Sequence, residues 1–128
     1  MKHSERIIAF VLILGGLYFA AGAVWSYSAS VDDAPGNDTA QVSIKLFRFD
    51  PEVLVVPVGT TVVWSNGDAI EHSVTSGTPE SPGSAFDSDF FTEGQTWSYM
   101  FTEPGEYPYF CRRHNSMQGT VRVVPGGE

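Results

Sequence analysis

Cysteine is almost missing from this chain of 128 residues: Cys111 stands alone. No disulfide can close within the chain, and sites that need two or more thiolates, such as a dinuclear copper centre or a four-cysteine iron–sulfur cluster, are excluded. Histidine is scarce too, at three. That leaves too few imidazoles for a catalytic centre built from several metal ions, so an enzyme is not expected. Basic residues number 7 against 15 acidic ones, for a net charge of −8. Such a surface argues against nucleic acid as a partner and speaks to solubility and steering. Past Ala40 no sustained 3.6-residue period occurs, so amphipathic helices are not expected there.

One long apolar run is present. Ile7 to Trp25, IIAFVLILGGLYFAAGAVW, carries no charge and has the length of a membrane-crossing helix. Lys2 and Arg6 precede it, and Asp32, Asp33 and Asp38 follow. The positive-inside rule then leaves the N-terminus in the cytoplasm and everything after Trp25 outside. Trp25 and Tyr27 suit the outer membrane interface, whereas Ala21-Gly22-Ala23 and Ser28-Ala29-Ser30 offer small residues to a signal peptidase. Anchor and cleaved signal both stay open. Either places the remainder on the extracytoplasmic face of the membrane, or free in periplasm or medium after cleavage. The expected organisation is an anchor or signal at 1–25, a flexible linker at 26–40 (SYSASVDDAPGNDTA) and one folded domain at 41–128. Asn37-Asp38-Thr39 fits the N-glycosylation pattern.

The folded part reads as short apolar or alternating runs broken by Gly, Pro, Asn and Asp about every ten residues, the signature of an antiparallel sandwich or barrel. The runs cover 41–49, 52–58, 60–65, 71–76, 95–101, 105–111 and 119–124. Val42, Ile44 and Leu46 alternate with Ser43 and Lys45, and Trp97, Tyr99 and Phe101 with Ser98 and Met100. Pro57 and Pro108 cannot donate to a ladder and are expected at an edge or bulge. Gly59, Asn66-Gly67-Asp68 and Glu103-Pro104-Gly105 supply turns. The stretch 77–94 reads as a long connection with a short strand near Phe86 to Phe91, as a Greek key uses between sheets. The predicted fold is all-β, a Greek-key sandwich behind one N-terminal helix.

The chemistry lies in CRRHNSM, Cys111 to Met117. Cys111, His114 and Met117 recur every third residue in a tight loop between two strand runs, a spacing that lets the three side chains converge. His72, the only other histidine after the apolar run, reaches them only through the fold. Alone, each has an ordinary role as a core thiol, a satisfied imidazole or a packing thioether. Together, a thiolate, two imidazoles and a weak axial thioether make the donor set of blue copper. Soft sulfur donors favour Cu(I) and imidazoles accept either oxidation state, so a rigid scaffold holding all four suits electron transfer without an open substrate position.

Across Val42 to Val124 the chain resembles the cupredoxins, the plastocyanin and amicyanin group in particular. The likeness is carried by FRFDPEVLVVPVGTTVVWSNGD, EHSVTSG, FDSDFFTEGQTWSYMFTEPGEYPYFCRRH and MQGTVRVV. The short Cys-x2-His-x2-Met loop is similar to that of amicyanins. The resemblance implies one copper ion held by His72, Cys111 and His114, with Met117 axial, His114 as the electron port, and Ser73 tying the two ligand segments together. Two positions depart from many relatives, which carry proline at Arg113 and before the first histidine, here Glu71. Arg112 and Arg113, as cations beside the site, are expected to favour reduced copper.

These readings predict a one-electron carrier between membrane or exported redox proteins such as cytochromes or copper enzymes, docked transiently and attached to the membrane by its N-terminal helix, with no small-molecule substrate. The alternative is a protein that stores or delivers copper, against which stands the supply of only two methionines, Met100 and Met117, beyond the apolar run.

Overall fold

The computed structural model describes residues 38–126. The expected anchor and nearly all of the expected linker fall outside them. Nine strands make up the regular structure: β1 (Thr39–Lys45), β2 (Arg48–Asp50), β3 (Val53–Pro57), β4 (Thr61–Asn66), β5 (Thr75–Thr78), β6 (Ser81–Asp87), β7 (Thr96–Met100), β8 (Gly105–Phe110) and β9 (Gln118–Val124). They form a four-stranded sheet in the order β2-β1-β4-β7 and a five-stranded sheet in the order β3-β9-β8-β5-β6. Among the described residues there is no helix, which agrees with the absence of a 3.6-residue period.

The all-β sandwich is as expected, but its sheets are mixed. β1 runs parallel to β4, with Val42 opposite Trp64, and β3 runs parallel to β9. Alternation reports which face a residue lies on and says nothing of strand direction. The 41–49 run is also two strands rather than one. Leu46 and Phe47 both have positive φ and form a two-residue hairpin loop between β1 and β2, a geometry whose twist matches paired strands. Leu46 is therefore 76% exposed instead of following Val42 and Ile44 inward.

Residues 71–76 are likewise only partly strand: β5 begins at Thr75, and His72 pairs with Phe91 in an isolated bridge. The strand expected near Phe86 to Phe91 lies earlier, as β6 over SPGSAFD. Propensity hides it, because tertiary contacts supply what Ser, Pro and Gly do not. The Ser76 hydroxyl accepts the N–H groups of Ala85 and Phe86, Phe86 is buried, and Gly77, with φ of 95°, allows a backbone approach that a Cβ would block at 2.2 Å from Gly83 N. Pro57 ends the edge strand β3 as expected, whereas Pro108 lies in β8, an interior strand, where it pairs with Thr120 of β9 and sits just beyond the residues that β5 pairs with β8.

The core sits between the sheets around Trp64, which is fully buried. Its ring lies 5.4 Å from Trp97 and 5.5 Å from Tyr109 by centroid, with Phe86 and Phe101 farther out. Tyr109 lies across from Gly119, where an added Cβ would stand 2.6 Å from the phenol ring, so glycine makes room for the tyrosine. Such aromatic pairs add to plain area burial and let a small sandwich fill its interior.

The Tyr109 hydroxyl and the Trp64 indole nitrogen are buried without hydrogen-bond partners. Burial pushes the phenol pKa from 10.0 up to about 12; the nearby Trp64 N–H pulls the other way without closing a hydrogen bond, and the Glu52 charge adds to the rise. The unfolded chain therefore releases this proton before the folded one does, and stability falls as pH climbs from 10.0 towards about 12. Tyr109→Phe is expected to stabilise the fold by roughly 1 kcal/mol at neutral pH, by removing an unpaired buried hydroxyl, and to lessen the alkaline loss. Urea titrations of both proteins across that pH range check this; an identical alkaline loss would assign it to other groups.

Candidate metal centre

Two segments meet at one end of the sandwich. The first leaves β4 through Asn66-Gly67-Asp68 and crosses to the other sheet, carrying His72. Asn66 is buried and organises this crossing: its side-chain amide donates to the carbonyls of Ile70 and Phe91, and its side-chain oxygen accepts the Asp68 N–H. His72 and Phe91 exchange backbone hydrogen bonds of 3.2 and 3.0 Å. The imidazole is thereby held from both sides of its own backbone.

The second segment follows β8. The Cys111 N–H donates to the Met117 carbonyl at 3.1 Å and the Met117 N–H donates to the His114 carbonyl at 2.8 Å, closing the loop as its spacing suggested. Ser73 joins the segments. Its N–H points at Cys111 Sγ over 3.4 Å, and its hydroxyl accepts the Arg112 N–H at 2.9 Å and lies 3.0 Å from Thr75 Oγ1. The tie expected of Ser73 is thus made through both its backbone and its side chain.

His72, Cys111 and His114 each aim one donor atom at a common point, the three atoms lying within 4.8 Å of one another. Cys111 Sγ is 3.7 Å from His72 Nδ1. Both residues are fully buried, and His114 is half-buried with its Nδ1 enclosed and unpartnered. A buried nitrogen with no partner is costly, and its neighbours here are a thiol and a second imidazole. These donors suit copper, which takes soft thiolate and imidazole together. Met117 is buried in the same loop, its backbone bonded to Cys111 and His114.

Phe47 and Asp68 were visible in the sequence only as parts of a strand run and a turn. Phe47 sets its ring 5.6 Å from His72 and 5.1 Å from His114, edge-on to both. Asp68 accepts the N–H groups of Leu46 and Phe47 and lies 3.0 Å from His72 Nε2. Burial works to raise its pKa, but the Phe47 and Leu46 N–H groups and the His72 ring outweigh it and hold the carboxyl below the usual 3.8. The signal was Asp68 placed four residues before His72; its target, the β1–β2 loop, is 21 to 22 residues away.

The two arginines of the ligand loop are not free cations. Arg112 pairs with Asp87 and Asp89 at 3.3 and 3.0 Å, and Arg113 pairs with Glu71 at 3.0 Å. Phe90 lies under both guanidinium groups. The nearby carboxylates offset much of the field that the arginines alone would place on the site. Glu71 and Arg113, the two departures noted in the sequence, prove to be partners.

Comparison with known proteins agrees with this geometry. Residues 37–124 match the family described as copper binding proteins, plastocyanin/azurin family. Amicyanin of Paracoccus versutus is 32% identical over 91 residues, 71% of this chain and 68% of the relative. Amicyanin-alpha of Methylorubrum extorquens is 28% identical over 118 residues, 92% of this chain and 98% of the relative. Among solved structures, a purple cupredoxin from Nitrosopumilus maritimus aligns with a TM-score of 0.62 and 31% identity, covering 66% of this chain and 99% of its own. A reduced amicyanin mutant aligns with a TM-score of 0.61 and 30% identity, covering 74% and 87%. With a family match over most of its length and His72, Cys111 and His114 arranged as a copper site, the chain belongs to the plastocyanin/azurin family of copper-binding proteins.

Proposed function

We propose that this protein is an extracytoplasmic blue copper carrier that passes one electron at a time between larger redox proteins. The observation that carries the reading is His114, whose Nδ1 is buried among the donor atoms while the rest of the residue reaches the surface. Bound there, copper supplies a one-electron Cu(I)/Cu(II) couple. The chain's own residues keep that site closed and still. His72 is fixed by its bridge to Phe91, Cys111 by the Ser73 N–H, and the loop by its own backbone bonds. In this reading Met117 would complete the ligand set with a weak thioether, leaving no position for a small-molecule substrate.

Around His114 the surface is apolar where it is not ion-paired. Phe47 and Phe90 are 47% and 44% exposed, and Leu46 stands beside Phe47 at the hairpin tip. A face of this kind suits brief contact with a cytochrome or copper enzyme, since its charges are already paired and little need be desolvated. The uncharged run from Ile7 to Trp25 supports attachment to the membrane with the copper domain outside, and residues 26–38 have the composition of a linker.

Three expected outcomes follow from this reading. Cu(II) added to the full chain gives an intense visible thiolate-to-copper charge-transfer band, and His72→Ala abolishes it; a folded, copper-loaded protein without the band would exclude the blue site. Met117→Leu retains the band and shifts the reduction potential measured by redox titration, because the axial donor tunes it. A potential that does not move would remove Met117 from the ligand set. Fractionated cells hold the full-length chain in a carbonate-resistant membrane pellet, and a soluble product starting near residues 24–31 would show instead that the N-terminal segment is a cleaved signal.

A further inference from the structure

We infer that Asp68 is a positioning residue for the copper site, orienting the His72 ring through its far nitrogen and coupling it to the β1–β2 hairpin. The side chain is 10% exposed and both of its oxygens are engaged. Oδ1 accepts the Leu46 N–H at 2.7 Å; Oδ2 accepts the Phe47 N–H at 2.9 Å and stands 3.0 Å from His72 Nε2. With both oxygens already accepting backbone N–H groups, the carboxylate acts as the acceptor and Nε2 as the donor. The neutral His72 ring then carries its proton on Nε2 and presents a bare Nδ1 lone pair towards Cys111 Sγ and His114. A fully buried imidazole without that acceptor would lose its only hydrogen bond away from the donor cluster, and with it the preference for one tautomer.

The same carboxylate has two further effects. By gripping consecutive N–H groups of a loop whose residues both have positive φ, it holds the hairpin tip against the crossing that carries His72. Phe47 is thereby seated over both imidazoles. On the far side of the His72 ring from the donor cluster it would also add negative charge to a bound copper's surroundings, where partial burial leaves charges poorly screened. That charge would favour the more positive oxidation state, whereas the arginines of the ligand loop are tied up in ion pairs.

The inference rests on the copper reading for its energetic part but not for its geometry, and the test separates the two. Long-range 1H–15N correlation on the metal-free full chain, at a pH where the imidazole is neutral, is expected to show His72 protonated on Nε2 alone. A proton on Nδ1 would overturn the proposal without recourse to any variant. In Asp68→Ala the single tautomer is expected to be lost and Cu(II) affinity to fall about 10- to 100-fold, the range seen when partners of ligating histidines are removed; in Asp68→Asn the amide oxygen still accepts from Nε2, so the tautomer is expected to persist while loss of the charge weakens Cu(II) binding. Cu(I) affinity is expected to fall less, so the potential rises. Equal losses for both ions would reduce Asp68 to a structural tie, and Asp68→Asn, nearly isosteric, supplies the comparison if Asp68→Ala does not fold. Failure of the wild-type blue band would count against the copper reading, while the tautomer of the metal-free protein would still decide the role of Asp68.

Discussion

Everything functional in this molecule depends on holding two chain segments together at a point where three donor atoms converge and one of them, His114 Nδ1, is left without a partner. His72 and Cys111 lie 39 residues apart in sequence, on separate excursions from the sandwich. Ser73 closes the gap through its N–H on the Cys111 sulfur and its hydroxyl under the Arg112 N–H. The cost of burying polar atoms without partners is thereby imposed by the fold and relieved by a ligand with matching softness. A closed, pre-shaped site of this kind has little to rearrange when its charge changes.

The surroundings of that point are built in three layers. Beneath it, Trp64, Tyr109 and their aromatic neighbours fill the sandwich, with Gly119 yielding space to one ring. At the level of the ligands, Asn66 and Asp68 organise the crossing from β4 and link it to the β1–β2 tip. On the rim, Arg112 and Arg113 pair with Asp87, Asp89 and Glu71 across Phe90. Exposed pairs of this kind add little stability, at most about 1 kcal/mol each. Their more important effect is to leave neither arginine a free cation on the rim around His114, since the two face three carboxylates.

Some of this organisation was plain in the amino-acid order. The alternation of Val42 and Ile44 with Ser43 and Lys45 announced a half-buried strand, and the spacing of Cys111, His114 and Met117 announced a loop able to gather donors. Other parts were hidden. The parallel pairing of β1 with β4 leaves no trace in periodicity, since alternation is the same in either direction. β6 has few strand-forming residues and owes its existence to Ser76 and Phe86. The break at Leu46 and Phe47 needs two consecutive positive φ values, and neither residue type signals them.

What the sequence determined by itself, then, was chemistry and class: one unpaired thiol, two imidazoles beyond the apolar run, a thioether at matching spacing, and a β-patterned domain behind an uncharged N-terminal stretch. These are local properties of composition and short-range spacing, and they are present before folding. Only the tertiary structure decided which atoms meet. It brought His72 to the cysteine loop, gave Asp68 its three donors, set Phe47 against both imidazoles and matched Glu71 to Arg113. Each of these contacts joins residues from separate elements or across a crossing between sheets, and such a distance is set by the packing of the sandwich and not by any neighbour along the chain.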